Sequence, residues 1–458
     1  TSGTGGQTCA RPSLSVEDDT PFKFSPSDNQ GSVATSKRIS RIIIISVVIL
    51  LIVGLIILIV CLCKKSSGGE STSFPDDPST NIITAKFDYT AFSVENSNSI
   101  YDDQTVNYTE YISSISVDGK RINIANKYTP DKREIKTIQI KFKKPLERME
   151  KFFFDAFYLE SVDFSEFDTS SLTDMSKLFL ACVNLKEVKF GPKFDTSKVK
   201  EMDGLFSGCE KLTSLDLSKI STKNVERMDY MFCNCIGLTN LDLSSFDTSN
   251  VVNLGSMFFN CESLTSINLS KFNTEKVTSM TDMFNGCSSI KTLSLDSFKT
   301  DLVASMDQMF AGCSSLAILN ISTFTTPNLE DADRMFSDCS ELNLLEFNFT
   351  SEKLHRAEQM FKGCSQLTKV DLSGMSGELI EDLSEMFAGC YSLGFINIQN
   401  LNTRSVEDFQ NMFYGLPASG LIIYDSTKLS QIAIKSIPQG WIPIDQASID
   451  HQWGSPLV

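Results

Sequence analysis

A cysteine returns along this chain at almost constant spacing: Cys182, Cys209, Cys235, Cys261, Cys287, Cys313, Cys339, Cys364 and Cys390, in steps of 27, 26, 26, 26, 26, 26, 25 and 26 residues. Each stands in the same phrase, seen as "LFSGCEKLTSLDL" from Leu205, "MFNGCSSIKTLSL" from Met283 and "MFAGCSSLAILNI" from Met309. Ala156 holds the position one period earlier and Leu416 one period later. A fixed period in the twenties defines a solenoid, whose units bury their apolar faces only against their neighbours. No feature of the chain narrows its possible folds more.

One unit can be read residue by residue. Leu264, Ile267 and Leu269 end in the alternation of a strand with one face inward. Phe272 follows, then Thr274 in the position of a helix N-cap. Val277, Met280, Met283 and Phe284 fall at i, i+3, i+6 and i+7, within one arc of a helix, and Gly286 suits the helix end. The pattern repeats at Val225, Met228, Met231 and Phe232, at Val303, Met306, Met309 and Phe310, and at Val406, Phe409, Met412 and Phe413. The spacing therefore predicts an α/β solenoid, a leucine-rich-repeat array of about ten 26-residue strand–helix coils over residues 149–416. Phe167, Phe194, Phe246, Phe272, Phe298 and Phe324, with Ile220 in the gap, form a second ladder in one register.

Open solenoid ends expose core, so caps are expected. Residues 81–148 alternate as strands, with Asp118-Gly119 placed for a tight hairpin, and read as a β-rich N-terminal cap. Residues 417–445 read as a C-terminal cap: a strand at Leu421–Tyr424, then an amphipathic helix from about Ser426, ended by Pro438 and Gly440. A loose tail is expected after Trp441, with 446–458 outside the cap.

The run from Ile42 to Cys63 holds 22 residues without a charge. About 20 apolar residues suffice to cross a hydrocarbon core of ~30 Å, so a transmembrane helix is expected at 42–63. Residues 1–41, polar and aperiodic, read as a disordered cytosolic tail, and 64–80 as a flexible spacer. The first residue is Thr1, consistent with a processed or truncated start. Lys37, Arg38 and Arg41 precede the span and Lys64 and Lys65 follow it. The Asn-x-Ser/Thr sequons at Asn107, Asn268, Asn320 and Asn348 all follow it too. Both observations favour a type II protein, single-pass, with the repeats outside the plasma membrane. A net charge of −16 and a pI near 4.7 argue against nucleic acid as a partner.

With these residues in hand, the chain resembles the BspA-like leucine-rich-repeat surface proteins of bacteria and anaerobic protists. The likeness rests on "FDTSxVxxMxxMFxGCxxLxxLDLS", present here as "FDTSNVVNLGSMFFNCESLTSINLS" over 246–270. The resemblance implies a cell-surface adhesin for host, matrix or bacterial partners. It brings no catalytic residues.

Three readings of the cysteines stand side by side: buried thiols, disulfides between rungs, and a metal array. Ala156 and Leu416 in the same position favour packing, since a free thiol behaves as a small hydrophobe. Function is expected on the strand face instead. The residue between the last two apolar strand positions points outward, which picks out Asp216, Asp242, Asn268, Ser294, Asn320, Glu346, Asp371 and Asn397 as ligand-binding candidates, after Asp163 and Lys189. The sequons at Asn268 and Asn320 lie in this row, so glycans there would obstruct its middle. Histidine occurs only at His355 and His451, and no G-x-S-x-G, P-loop or H-E-x-x-H motif is present. No enzyme activity, cofactor or metal is expected. The sequence reads as a membrane-anchored module that binds or adheres to an extracellular protein or glycan. The alternatives are a coat or filament assembled through the array, homomeric or with other chains, and a receptor signalling through the 41-residue tail.

Overall fold

The structure, a computed structural model, describes residues 81–90, 106–122, 130, 132–376, 378–403, 406 and 408–448. The tail at 1–41, the span at 42–63, the spacer at 64–80 and all but the start of the C-terminal tail lie outside them. Among the described residues no helix is long and apolar enough to cross a membrane.

The first six strands form one sheet: β1 (Ile82–Asp88), β2 (Ile112–Val117), β3 (Lys120–Ile122), β4 (Ile135–Phe142), β5 (Leu159–Glu166) and β6 (Glu187–Lys189), in the order β3-β2-β4-β1-β5-β6. Asp118 and Gly119, both at positive φ, close the β2–β3 hairpin. The strand β1 pairs antiparallel with β5, whereas β5 pairs parallel with β6. The sheet therefore changes from antiparallel to parallel pairing at β5, the strand of the first coil. Phe142 seals that junction, its ring 5.1 Å from Phe167 and 6.0 Å from Phe152.

Beyond β5 the chain is a β-solenoid. Its strands are short: β7 (Asn240–Asp242), β8 (Ser266–Asn268), β9 (Ile318–Ile321), β10 (Leu344–Phe347), β11 (Lys369–Asp371) and β12 (Phe395–Asn397). Neighbours pair in parallel and in register, as Leu241 with Ile267 and Leu319 with Leu345. On the opposite side a second ladder of parallel bridges climbs from Arg148 to Asp408 in ten steps.

That second side corrects the expected strand–helix coil. Where a helix was read through Val277–Phe284, the structure has a turn. Asp282 and Gly286 both lie in the left-handed region, at φ 57° and 75°, and their counterparts Gln308 and Gly312 do the same. A right-handed helix cannot pass through such residues. The N–H groups of Met280, Asp282, Phe284 and Gly286 donate to the carbonyls of Ser305, Asp307, Met309 and Ala311 in the next coil, at 2.7–3.0 Å. The intervening Met283, Asn285 and Cys287 donate three residues back within their own coil. The Thr281 N–H donates to Ser279 Oγ at 3.4 Å, so the backbone donors from Met280 to Cys287 are satisfied without a helix. A helix of so few residues nucleates poorly, while alternate bonding lets coils approach at sheet spacing. The apolar residues expected inside do face the core: Val277, Met280, Met283 and Phe284 are fully buried.

Close stacking shows in the aromatic rings. Phe153, Phe179, Phe206, Phe232, Phe258 and Phe284 stack nearly parallel, 5.4–5.8 Å apart, and the stack continues to Phe413. In the other ladder, Phe272, Phe298 and Phe324 are spaced 6.1 and 6.5 Å. Thr274 is not a helix cap but an inter-coil clip. Its hydroxyl donates to the Lys299 carbonyl and accepts the Lys299 N–H, both at 2.7 Å. Thr222 and Thr248 clip the coils beneath in the same way.

At the far end, β13 (Gly420–Tyr424) adds in parallel to β12. The helix α1 (Gln431–Ser436) follows, capped by Ser430, whose side chain accepts the Ala433 N–H. It, a 3-10 turn at Tyr108–Glu110 and a helical stretch at 446–448 are the helices assigned among the described residues. Chain expected to be loose after Trp441 instead returns as β14 (Trp441–Asp445), paired in parallel with β13. Trp441 anchors it, donating Nε1–H to the Pro417 carbonyl at 2.9 Å. Its ring lies where a Cβ on Gly420 would be only 2.7 Å away, so that position admits glycine alone.

Candidate functional site: the strand face

Each three-residue strand turns its middle residue inward and its first and third outward, because successive side chains alternate. The coils therefore display two parallel rows. The later row carries the residues picked out by sequence; the earlier row runs from Ser214, Asn240, Ser266 and Thr292 to Ile318 and Leu344. Sequence reasoning missed the earlier row, although the same alternation that found the later one also locates it.

In the later row, Asp216, Asp242, Asn268, Ser294, Asn320 and Glu346 are exposed, Asp371 is half-buried and Asn397 is buried. Most have a structural task. The Oδ1 atoms of Asp216, Asp242, Asn268, Asn320, Asp371 and Asn397 each accept the N–H two residues on, at 3.0–3.2 Å, which closes the strand with a turn. These bonds hold the carboxyls of Asp216 and Asp242 below the usual range, with the backbone N–H of Ser218 and Ser244 as the leading cause. The row is also linked along its length: Asn268 donates to Asp242 at 3.3 Å and Asn320 to Glu346 at 2.7 Å. Ser294 donates to Asp296 instead, at 2.9 Å.

The structure brings Asp216, Asp242 and Asn268 together around one open trough of about 550 Å³. Ser214, Asn240 and Ser266 line its other side, and Leu215, Leu241 and Ile267 complete the lining. The polar rows offer acceptors and donors on either side of the strand backbone at Leu215, Leu241 and Ile267. Such a trough suits an elongated ligand bearing hydroxyl or amine groups. The remaining residues of the later row lie farther along the same face and do not line it.

The sequons take different places. Asn268 is in the trough wall and Asn320 is two coils beyond, and each carboxamide oxygen also accepts the hydroxyl of its sequon serine, at 2.8 and 2.7 Å. Asn107 and Asn348 are exposed elsewhere.

The cysteines are not a site. All ten in the described residues are free and buried. Each ladder thiol donates to the carbonyl of the phenylalanine one coil below, as Cys287 to Phe258 and Cys313 to Phe284, both at 3.2 Å. Burial raises every one of these thiols, Cys287 to about 12, so they are neither thiolates nor ligands. Ala156 now has a reason: it belongs to the first coil of the bridge ladder, and among the described residues no phenylalanine carbonyl is offered to it from a coil beneath.

Buried carboxylates on the turn side were not legible in the sequence. Arg227 pairs with Asp229 at 3.1 Å, and Arg356 with Asp331 at 3.0 Å and with Asp333. Asp155 and Asp307 each have a buried oxygen without a hydrogen bond. Burial raises their carboxyls to about 8 and about 7. Among the described residues no group of three or more His, Cys, Asp or Glu side chains is placed to hold a metal ion.

A 26-residue, cysteine-punctuated, parallel-stranded coil defines a leucine-rich β-solenoid. The chain belongs to the family described as "Mycoplasma protein of unknown function, DUF285", which matches residues 147–267, 253–375 and 357–419. The BspA-type character read from the repeat holds in that family. Among solved structures the chain is similar to a leucine-rich cell surface protein from Faecalibacterium prausnitzii A2-165, with 18% identity over 68% of this chain and 88% of that one and a TM-score of 0.29. It is also similar to a leucine-rich repeat protein from Eubacterium ventriosum ATCC 27560, with 15% identity over 54% and 81% of the two chains and a TM-score of 0.19. No curated protein matches the chain.

Proposed function

We propose that this protein is displayed at the cell surface and works, without catalysis, as a recognition module whose strand face binds an extended protein or glycan. The observation that carries the reading is the trough across the coils of Asp216, Asp242 and Asn268, walled by two rows of short polar side chains. The Asp and Asn side chains of its later wall are fixed by bonds to their own backbone. A surface already ordered before a ligand arrives loses little entropy on binding. Its carboxylates are held ionised by those bonds, a state suited to recognition rather than to proton transfer.

The apolar stretch at 42–63, the flanking charges and the sequons support a single-pass anchor with the repeats outside; this part of the proposal rests on sequence alone. Protease treatment of intact cells tests it, since loss of the repeats with retention of 1–41 is the expected pattern. Glycosylation at Asn107, Asn268, Asn320 and Asn348 would appear as a mobility shift reversed by an N-glycanase. Assembly into a coat through sheet edges is less well supported: the β14 edge contains Pro443, which has no N–H, and β3 carries Lys120 and Arg121.

The binding reading is tested with Asp216→Asn, Asp242→Asn and Asn240→Ala combined in the full chain. Binding to candidate cells, matrix proteins and glycans should fall at least tenfold, with the thermal midpoint kept within a few degrees. Unchanged binding to a target that the unaltered chain recognises refutes the strand face as the site.

A further inference from the structure

The earlier outward row changes character along the solenoid. Through the trough it is Ser214, Asn240 and Ser266; from β9 onward it becomes Ile318, Leu344, Lys369, Phe395, Leu421 and Ile442, one residue per coil. Ile318, Leu344 and Ile442 are 51%, 46% and 65% exposed, and Phe395 and Leu421 are half-buried. Lys369 does not interrupt the stripe as a free charge. Its ammonium lies 5.2 Å from the Phe395 ring centroid and 4.0 Å from the Asp371 carboxylate. Beside the stripe, the later row supplies Asn320, the exposed carboxylate of Glu346, and Asp371.

We infer that this C-terminal stripe is the seat of a basic amphipathic α-helix from a partner protein, lying along the solenoid axis. The inference rests on the strand-face reading above and names the partner's chemistry. Spacing selects the helix. Coils follow one another at the strand separation of ~4.8 Å, and an α-helix advances ~5.4 Å per turn, so each turn meets about one coil. An extended strand presents same-side residues every ~6.6 Å and falls out of step within two coils. Six rungs span ~24 Å, the length of about 16 helical residues. Apolar residues at i, i+3, i+4 and i+7 would cover the stripe, and a lysine or arginine at the helix flank would face the exposed carboxylate of Glu346. The sign of that flank follows from charge complementarity with Glu346, the exposed carboxylate beside the stripe that has no lysine or arginine paired to it among the described residues.

The test uses the full chain in nanodiscs of neutral lipid, with empty nanodiscs as the blank. The probe is a fluorescent 16-residue Leu/Lys peptide patterned as an amphipathic helix, compared with a scramble of the same composition that lacks the stripe. The patterned peptide should bind at least tenfold tighter than the scramble. Ile318→Ser with Leu344→Ser should remove most of that affinity, while Leu302→Ser, at an equally exposed leucine outside both rows, should not. Glu346→Gln should weaken binding severalfold and flatten its salt dependence. Equal binding of the two peptides, or full affinity in the double variant, overturns the inference. So does self-association of the unaltered chain that the double variant abolishes, because the stripe then belongs to a second copy. If the peptide fails while the trough variants still lose surface binding, only this inference falls.

Discussion

Replacing Cys287 by alanine asks whether the repeated cysteine is architecture. The side chain is fully buried, and its thiol donates to the Phe258 carbonyl at 3.2 Å. Removing the sulfur forfeits the burial of about one methylene-sized group, roughly 0.8 kcal/mol. The void left in a tightly stacked coil adds roughly 0.5 kcal/mol at about 24 cal/mol per Å³. Loss of a weak S–H donor adds about 0.5 kcal/mol, because the Phe258 carbonyl still accepts the Cys261 N–H at 3.1 Å. The total is about 2 kcal/mol, to be read from urea unfolding of the full chain by far-UV circular dichroism. Cys287→Ser should cost a similar amount, since it keeps a donor but leaves the smaller oxygen in an apolar place. Thiol labelling supplies the second arm: the ladder cysteines should stay unreactive until the protein unfolds, because burial pushes their thiols well above the usual range, Cys287 to about 12. Fast labelling of the folded chain at Cys287, or an alanine variant as stable as the parent, would refute the reasoning.

Two further outcomes follow from the same geometry. Thr274→Val keeps the shape of a buried side chain but strands both the N–H and the carbonyl of Lys299, and should cost about 2–3 kcal/mol in the same assay, with Thr274→Ser much milder. Asp155→Asn should stabilise the protein in a pH-dependent way. Burial raises the folded carboxyl to about 8, above its unfolded value, so the native contribution is intact at acid pH and is lost as pH rises towards 8. The variant should match the parent near pH 4 and gain of order 1 kcal/mol per pH unit between pH 5 and 8, in parallel urea titrations. A gain independent of pH would show that Asp155 is not neutral in the folded state.

Much of this was legible in the residues. The period, the inward set of leucines and phenylalanines, the hairpin at Asp118-Gly119 and the outward row all rest on local alternation, which a sequence displays directly. The turn at Met280–Gly286 was not legible as a turn. Val277, Met280, Met283 and Phe284 bury the same face whether the chain coils as a helix or runs through alternating bonds, so apolar spacing cannot separate the two. Glycine at 286 pointed to positive φ, but Asp282 gave no comparable sign. Strand β14 was hidden because Pro438 and Gly440 read as punctuation, and Trp441 finds its place only against Gly420 and Pro417.

The repeat alone determined that this chain must be a solenoid, favoured packing for its cysteines, and picked out one of the two outward rows. Those properties depend on neighbours in sequence and on a period that any coil shares with the next. Only the tertiary structure decided where the backbone hydrogen bonds go. The donors of Asp282 and Phe284 find acceptors 25 residues away, and that choice turns an expected strand–helix coil into a β-solenoid. It also decided which outward residues meet. Asp216, Asp242 and Asn268 share a trough, while Ile318, Leu344 and Ile442 share a stripe, because stacking places residues about 26 apart in sequence next to one another in space.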